Sequence, residues 1–486
     1  MIGSMRRWTF LLNGIGAALV AGLALGLRAG WMPRGVPGEW EWPRLPETVA
    51  PAQPALALLG LLAYAGLTAV GAALLGRRSG PVRESLGLAA LAVAAVVVQL
   101  ALHAGAPAGY GLTKWVTIDQ PGSSGYFTIA RTRIGDVRGF LASYPTWIQT
   151  QDALHIGTHP PGLFVASRGA LDLFAARPDA SRRVIEHLPS TVTIGFREVL
   201  GGRTPAERAA IALIGGLTLL ACAGTVVPLY LLARSTGEAA TAWSVAALWP
   251  VVPAAILFQP TSDCGFALLS TSALACSAWA SRPRWGVAAA VGSGAILVVG
   301  MQFSLVFLAI GLIVALMALT QPGRSWRDRL TSIVATGVGF LGPTLAWWAW
   351  SKANPFVIWW ANQLHHQRFY VEFPRTYGSW LIANPIELAV AIGLPMVGWG
   401  LVGLGSWRRA RVSWLTLLVL IALTLSGRNL SEVARLWLPF QPALIVAVGT
   451  GLARLRAGPV AVAILVSLVA LETLALEGLI QVVYPF

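Results

Sequence analysis

Residues 55–104 read ALALLGLLAYAGLTAVGAALLGRRSGPVRESLGLAALAVAAVVVQLALHA. Two apolar runs, Ala55–Leu75 and Leu86–Ala104, flank a short loop carrying Arg77, Arg78 and Arg83. Each run is about as long as a helix needs to cross the hydrocarbon core of a bilayer, roughly 20 residues. Arginines between two such runs hold that loop on the cytoplasmic side. Working outward, the same grammar repeats. Earlier in the chain stands Trp8 to Leu27, preceded by Arg6 and Arg7. That run exceeds the apolar stretch of a signal peptide and many others follow, so it reads as an uncleaved anchor. Later runs are Ala209–Ala233, Ala239–Phe258, Cys264–Ala280, Gly286–Thr320 (two tight spans), Leu330–Trp350, Ile386–Leu404, Trp414–Leu425, Leu436–Leu452 and Val460–Val482. With Gly162–Ala176 as a short extra candidate, the expected total is about 11 to 13 spans.

Composition agrees. Of 486 residues, 56% are hydrophobic and only 11% charged, against about 25% charged in soluble domains. So few charges cannot cover a soluble surface of this size. The expected class is an all-α polytopic bundle, because a helix satisfies its own backbone groups in lipid while reading as a continuous apolar run. The net charge of +15 reads as topology-setting arginine beside spans. No basic stripe interleaved with stacking aromatics points to nucleic acid. Cys222, Cys264 and Cys276 lie in apolar stretches without metal-ligand spacing. We divide the chain into N-terminal spans (1–85), a membrane core (86–353) with a loop at 105–160, and C-terminal loop and spans (354–486).

The polar chemistry gathers in a few places. The 105–160 loop, expected outside the cytoplasm, contains IDQPGSSGYFTIARTRIGD (Ile118 to Asp136) and QTQDALHIGTHPPG (Gln149 to Gly162). Tyr126 to Arg133 can form a short helix lying on the membrane surface, and Pro160–Pro161 can open the next one. Asp119, with Asp152 as understudy, is the candidate general base. Tyr126, His155 and His159 are candidate substrate ligands. A second polar stretch, 351–384, contributes Arg375. The segment GRNLSEVARLW (Gly427–Trp437) places Arg428 and Arg435 at a break between spans, where a planar fork can grip a phosphate. Glu432 lies i, i+3 from Arg435 and is an alternative, purely structural partner. His103 reads as an interfacial residue at a span end. The sequence fixes no cofactor; His365, His366 and Glu372 leave room for a divalent metal, although adjacent histidines on a helix point apart.

The order of residues in the 105–160 loop resembles the GT-C membrane glycosyltransferases. It looks closest to the dolichyl-phosphate-mannose protein mannosyltransferases and the bacterial aminoarabinose transferases. Asp119, Tyr126, Ala130, Gly135–Asp136 and His159–Pro160–Pro161–Gly162 follow the family's order, with Gly162 where its motif has a leucine. PLYLLAR (Pro228–Arg234) and FQPTSD (Phe258–Asp263), whose aspartate opens a span, extend the resemblance over roughly residues 86–280. It implies an inverting transfer of a hexosyl or pentosyl unit from a polyprenyl-phosphate donor to a glycan, lipid or protein acceptor, at the outer face of the cell (inner) membrane. An Asp would deprotonate the acceptor, and basic residues would meet the departing phosphate. The rival reading is a transporter or flippase for a lipid-linked or anionic substrate. A ligase moving a preassembled glycan shares the same architecture.

Overall fold

The computed structural model describes residues 2–45, 54–77, 79–107, 110–282 and 284–483; Arg78 of the arginine loop lies outside them. The described chain is an all-α bundle of a multi-pass membrane protein, with one two-residue hairpin pair as its only sheet among those residues. Helices α1 (Ile2–Ala29), α2 (Ala55–Arg77) and α3 (Pro81–Ala104) come first, with hairpin strands β1 (Gly35–Val36) and β2 (Trp40–Glu41) after α1. The 105–208 region then holds a 3-10 turn at Leu112–Asp119, α4 (Tyr126–Arg133), α5 (Val137–Trp147), α6 (Gly162–Ala175), α7 (Pro178–Glu186) and α8 (Ser190–Val199). The core follows with α9 (Pro205–Gly224), α10 (Val226–Arg234), α11 (Ala239–Leu248), α12 (Pro253–Leu257), α13 (Ser262–Trp279), α14 (Gly286–Met301), α15 (Val306–Leu319) and α16 (Trp326–Ser351). Last come α17 (Pro355–Glu372), α18 (Tyr377–Ile392), α19 (Leu394–Leu404), α20 (Arg411–Leu425), α21 (Val433–Leu436), α22 (Gln441–Arg454) and α23 (Pro459–Leu479).

Six helices are long and apolar enough to cross a membrane, or seven when the bent pair α18–α19 counts as one span. The other expected runs are helices too, but shorter ones. The 15 residues of α20 rise about 22 Å, less than the roughly 30 Å hydrocarbon core. They still connect the two ends of the bundle, from Arg409 at the arginine-rich end to Ser426 beside Arg428. The run Ile386–Leu404 is not one straight span. It breaks at Gly393 by 103°, with φ of +120° there and Pro395 in the next first turn. The amide of Leu394, which a straight helix would bond internally, donates instead to Glu472 of α23 at 2.8 Å.

Nor does α6 cross. Its 14 residues rise about 21 Å, and it packs on α4, α7 and α9. The start of α9 sits beside the start of the loop: Arg203 is bonded to Asp119, and Arg131 Nε lies 3.7 Å from Glu207. Residues 110–208 therefore stay at one end of the bundle. A capping box fixes where α9 begins. The Thr204 hydroxyl accepts the Glu207 amide at 3.2 Å and the Glu207 carboxylate accepts the Thr204 amide at 2.7 Å, satisfying two otherwise orphaned donors.

The N-terminal and C-terminal thirds share a single apolar core with the middle. Helix α1 packs on α19 and α23, and α2 on α3, α11 and α23. The segment after the hairpin is stitched to the segment after α23. The Leu45 amide donates to Leu479 O at 3.0 Å and the Gln481 amide to Pro43 O at 2.9 Å.

Candidate functional site

At the loop end of the bundle a cavity of about 530 Å³ opens among the hairpin, the 120–123 turn, the 154–155 loop, the 258–261 corner and the 432–435 turn. Its polar lining includes Gln120, His155, Thr261, Glu432 and Arg435, and Trp40 and Phe369 supply aromatic walls. Beyond Phe369 a second cavity of about 430 Å³ is lined by Tyr370, Arg375, Arg428 and Gln367. The guanidinium of Arg375 stacks on Phe369, 5.6 Å from the ring centre, and donates to Ser431 at 3.1 Å. Arg428 is exposed, and among the described residues its guanidinium has no hydrogen bond or ion pair.

The sequence candidates separate into groups. Tyr126, His155, His159 and Arg435 come together. The Tyr126 ring meets His159 edge-on, with centres 5.3 Å apart, and its hydroxyl donates to His155 O at 3.4 Å. Burial pushes the Tyr126 phenol well above its ordinary range, and the nearby Asp263 carboxylate adds to that. Burial also holds both histidines below their ordinary values, with Arg435 acting in the same direction. For His159 the Asp263 charge pulls the other way. A neutral imidazole at each position keeps a lone pair for a proton or a hydroxyl.

Asp119 does not join them. Its side chain is fully buried, and its oxygens are taken by Arg203, by Arg131 at 3.8 Å and by the Thr128 hydroxyl at 2.9 Å. These bonds tie the 3-10 turn, α4 and the start of α9 together. Asp152 is exposed; its carboxylate accepts the Leu154 amide at 2.9 Å and its carbonyl accepts His365 Nε2 at 2.7 Å. Asp119, the candidate general base, and Asp152, its understudy, are thus both spent on local structure. Arg375 and Arg428 belong to the outer cavity and Arg435 to the inner one.

One carboxylate that acts on this group is marked in the sequence only as the acid opening a span, not as a site residue. Asp263, in the first turn of α13, is an electrostatic neighbour of Tyr126, His159 and Arg435. Among the described residues its carboxylate makes no hydrogen bond or ion pair. The signal was present: an acidic residue opening an apolar run is costly at membrane depth and therefore a functional candidate. Glu432 is the other. It pairs with Arg435 at 2.6 Å, as the i, i+3 spacing allowed, but through a turn rather than one helix. Ser431 and Glu432 both have left-handed backbones, φ +76° and +55°. Such conformations cost of order 1–3 kcal/mol each and gather at functional sites.

Several neighbours hold the group in place. Tyr144 and Asn362 both donate to His159 O, the latter at 3.0 Å. A Cβ on Gly157 would stand 2.1 Å from both Asp152 O and His365 Nε2, so only glycine lets the loop close on α17. Gly162 has a similar reason to replace the leucine of the resembled motif. Its amide donates to Gln302 O at 2.8 Å, and a Cβ would lie 2.4 Å from that oxygen.

His365, His366 and Glu372 do not converge. His365 bonds Asp152 O, His366 stacks on Phe369 and Glu372 pairs with Arg368 at 3.0 Å. Among the described residues no three His, Cys, Asp or Glu side chains gather as metal ligands. His103 is not interfacial but buried, bonded to Glu477 at 3.2 Å and to Gln259 at 3.1 Å. Lys114 Nζ lies 4.0 Å from the same Glu477 and donates to Leu257 O. In comparisons with known proteins, no family model matches the chain and no curated protein matches it.

Proposed function

We propose that the protein is a glycosyltransferase of the cell (inner) membrane, moving a sugar from a polyprenyl-phosphate donor to an acceptor at the extracytoplasmic end of the bundle. One observation carries the reading. A carboxylate with no bond among the described residues, Asp263, acts electrostatically on Arg435, His159 and Tyr126, and two residues before it Thr261 lines the inner cavity together with Arg435. In the reaction, Asp263 takes the proton of the acceptor hydroxyl. The hydroxyl oxygen attacks the anomeric carbon, and the bond from that carbon to the phosphate oxygen breaks, with inversion. The electron pair leaves on the lipid phosphate, where Arg428 and Arg375 meet the growing charge. Donors aimed at developing charge lower the barrier more than they strengthen ground-state binding. Arg435 and Glu432 orient the sugar hydroxyls across the inner cavity.

The test is transfer of tritiated sugar from a panel of polyprenyl-phosphate hexoses and pentoses by the purified protein in lipid nanodiscs. Release of polyprenyl phosphate with labelled product, lost in Asp263→Asn, is the expected result. No release from any donor, by protein that stays folded, removes the proposal. The second reading is transport, and the 103° break between α18 and α19 favours it, because broken helices line the binding sites of many transporters. Uptake of a labelled lipid-linked sugar into proteoliposomes without chemical change is its signature.

A further inference from the structure

At the opposite end of the bundle lies a larger cavity, about 880 Å³, between the end of α2, the α10–α11 turn and the α22–α23 turn. Three arginines line it: Arg77, Arg409 and Arg456. All three are exposed, and among the described residues none of their guanidiniums has a hydrogen bond or an ion pair. Nearby Arg234, by contrast, is bonded to Glu84 at 3.0 Å. Among the described residues the lining has one carboxylate, Glu238. The rest of the wall mixes small apolar side chains, such as Ala72, Val446 and Val462, with the hydroxyl-bearing Thr241, Ser244 and Thr450. Arg456 has a left-handed backbone, φ +51°, a conformation that non-glycine residues rarely adopt. Strain of that kind persists at ligand clamps.

Arginines that merely set topology need only face the headgroup layer. These three converge on one concave volume with a surplus of two positive charges, three arginines against one glutamate. The surplus calls for an anion. The planar forks suit phosphate oxygens, the wall hydroxyls can donate to the same oxygens, and the apolar patches leave room for a hydrocarbon chain. We propose that this cavity is a binding site for a phosphate group, either the headgroup of an anionic lipid or a soluble phosphate compound. It is separate from the candidate active site. Pro459 and Val462 line it at one end of α23, while Val482 and Val483 line the inner cavity beyond the other end. The 21 residues of α23 span about 31 Å. The assignment holds whatever reaction the far end performs.

The test uses the full-length protein in nanodiscs and in delipidated detergent. Native mass spectrometry and thermal unfolding report binding of phosphatidic acid, phosphatidylcholine and inorganic pyrophosphate. Wild type should bind phosphatidic acid at least tenfold more tightly than phosphatidylcholine. The triple variant Arg77→Gln/Arg409→Gln/Arg456→Gln should lose that preference. Glu238→Gln should bind more tightly, a gain that no folding defect can mimic. Arg282→Gln/Arg284→Gln, which removes two arginines outside the lining, should bind as wild type. Competition by pyrophosphate assigns the site to soluble phosphates, and its absence assigns it to lipid headgroups. Equal losses in the triple and control variants, or no change in Glu238→Gln, would overturn the proposal.

Discussion

Asp119 and Asp263 should fail in opposite ways when each is replaced by asparagine. Asp119 is buried with all its contacts internal: Arg203, Arg131 and the Thr128 hydroxyl. Removing its charge strands Arg203 and leaves Arg131 with Glu207 alone at 3.7 Å, and these arginines are only about a quarter to a third exposed. Breaking a fully buried ion pair costs about 3–5 kcal/mol. Because these arginines keep some solvent, roughly 2–3 kcal/mol is the better figure. Asp119→Asn should therefore lower the unfolding temperature by several degrees, while the folded fraction keeps turnover within a few-fold. Among the described residues the Asp263 carboxylate has no bond to lose, and asparagine keeps its shape at the first turn of α13. Asp263→Asn should unfold as wild type and lose about 10²–10⁴-fold in turnover, the usual contribution of a general base. The two readings come from the same samples, by tryptophan fluorescence on heating and by sugar release at saturating donor. An Asp119→Asn protein that melts as wild type yet is inactive would refute the reasoning and return Asp119 to the chemistry.

Gly162→Leu restores the residue of the resembled motif, yet it should destabilise the protein, because even a Cβ there would lie 2.4 Å from Gln302 O; limited proteolysis between α5 and α6 should show the loosening. Acid should destabilise the loop end. His155 and His159 are held below their ordinary values and His366 is pushed down to about 4, so below about pH 6.5 the unfolded chain binds more protons than the native one and stability falls with pH. That loss continues down to about pH 4 for His366, and His366→Gln should flatten the acid limb of a stability–pH curve. Exchanging Glu432 and Arg435 should leave expression intact and abolish turnover, since the pair survives in mirror order while the cation leaves its place; unchanged turnover would make the pair structural only.

What the sequence disclosed was local. The short surface helix was legible from Tyr126 to Arg133, because turn glycines and the following Gly-Asp bound it on both sides. The apolar runs were legible as helices because their composition leaves no alternative in lipid. Long-range facts were not. Nothing near Asp119 announces that Arg203, 84 residues on, will occupy it. The break at Gly393 depends on a glutamate in α23 accepting one amide, a partner that no window of local sequence contains. Asp263 was visible as an oddly placed acid, yet only the packing of α13 against the turn that carries Arg435 shows which groups it acts on.

The stitch between the hairpin and the residues after α23 also has a consequence in time. Trp40 and Val482–Val483 wall the same cavity, and backbone bonds join Leu45 to Leu479 and Gln481 to Pro43. A ribosome makes these two walls some 440 residues apart, roughly 20–90 seconds at usual elongation rates of about 5–20 residues per second. Throughout that interval the nascent chain holds half a chamber, open to lipid on one flank. The site is assembled last, by the arrival of α23, so a partly inserted chain has no closed chamber in which to act.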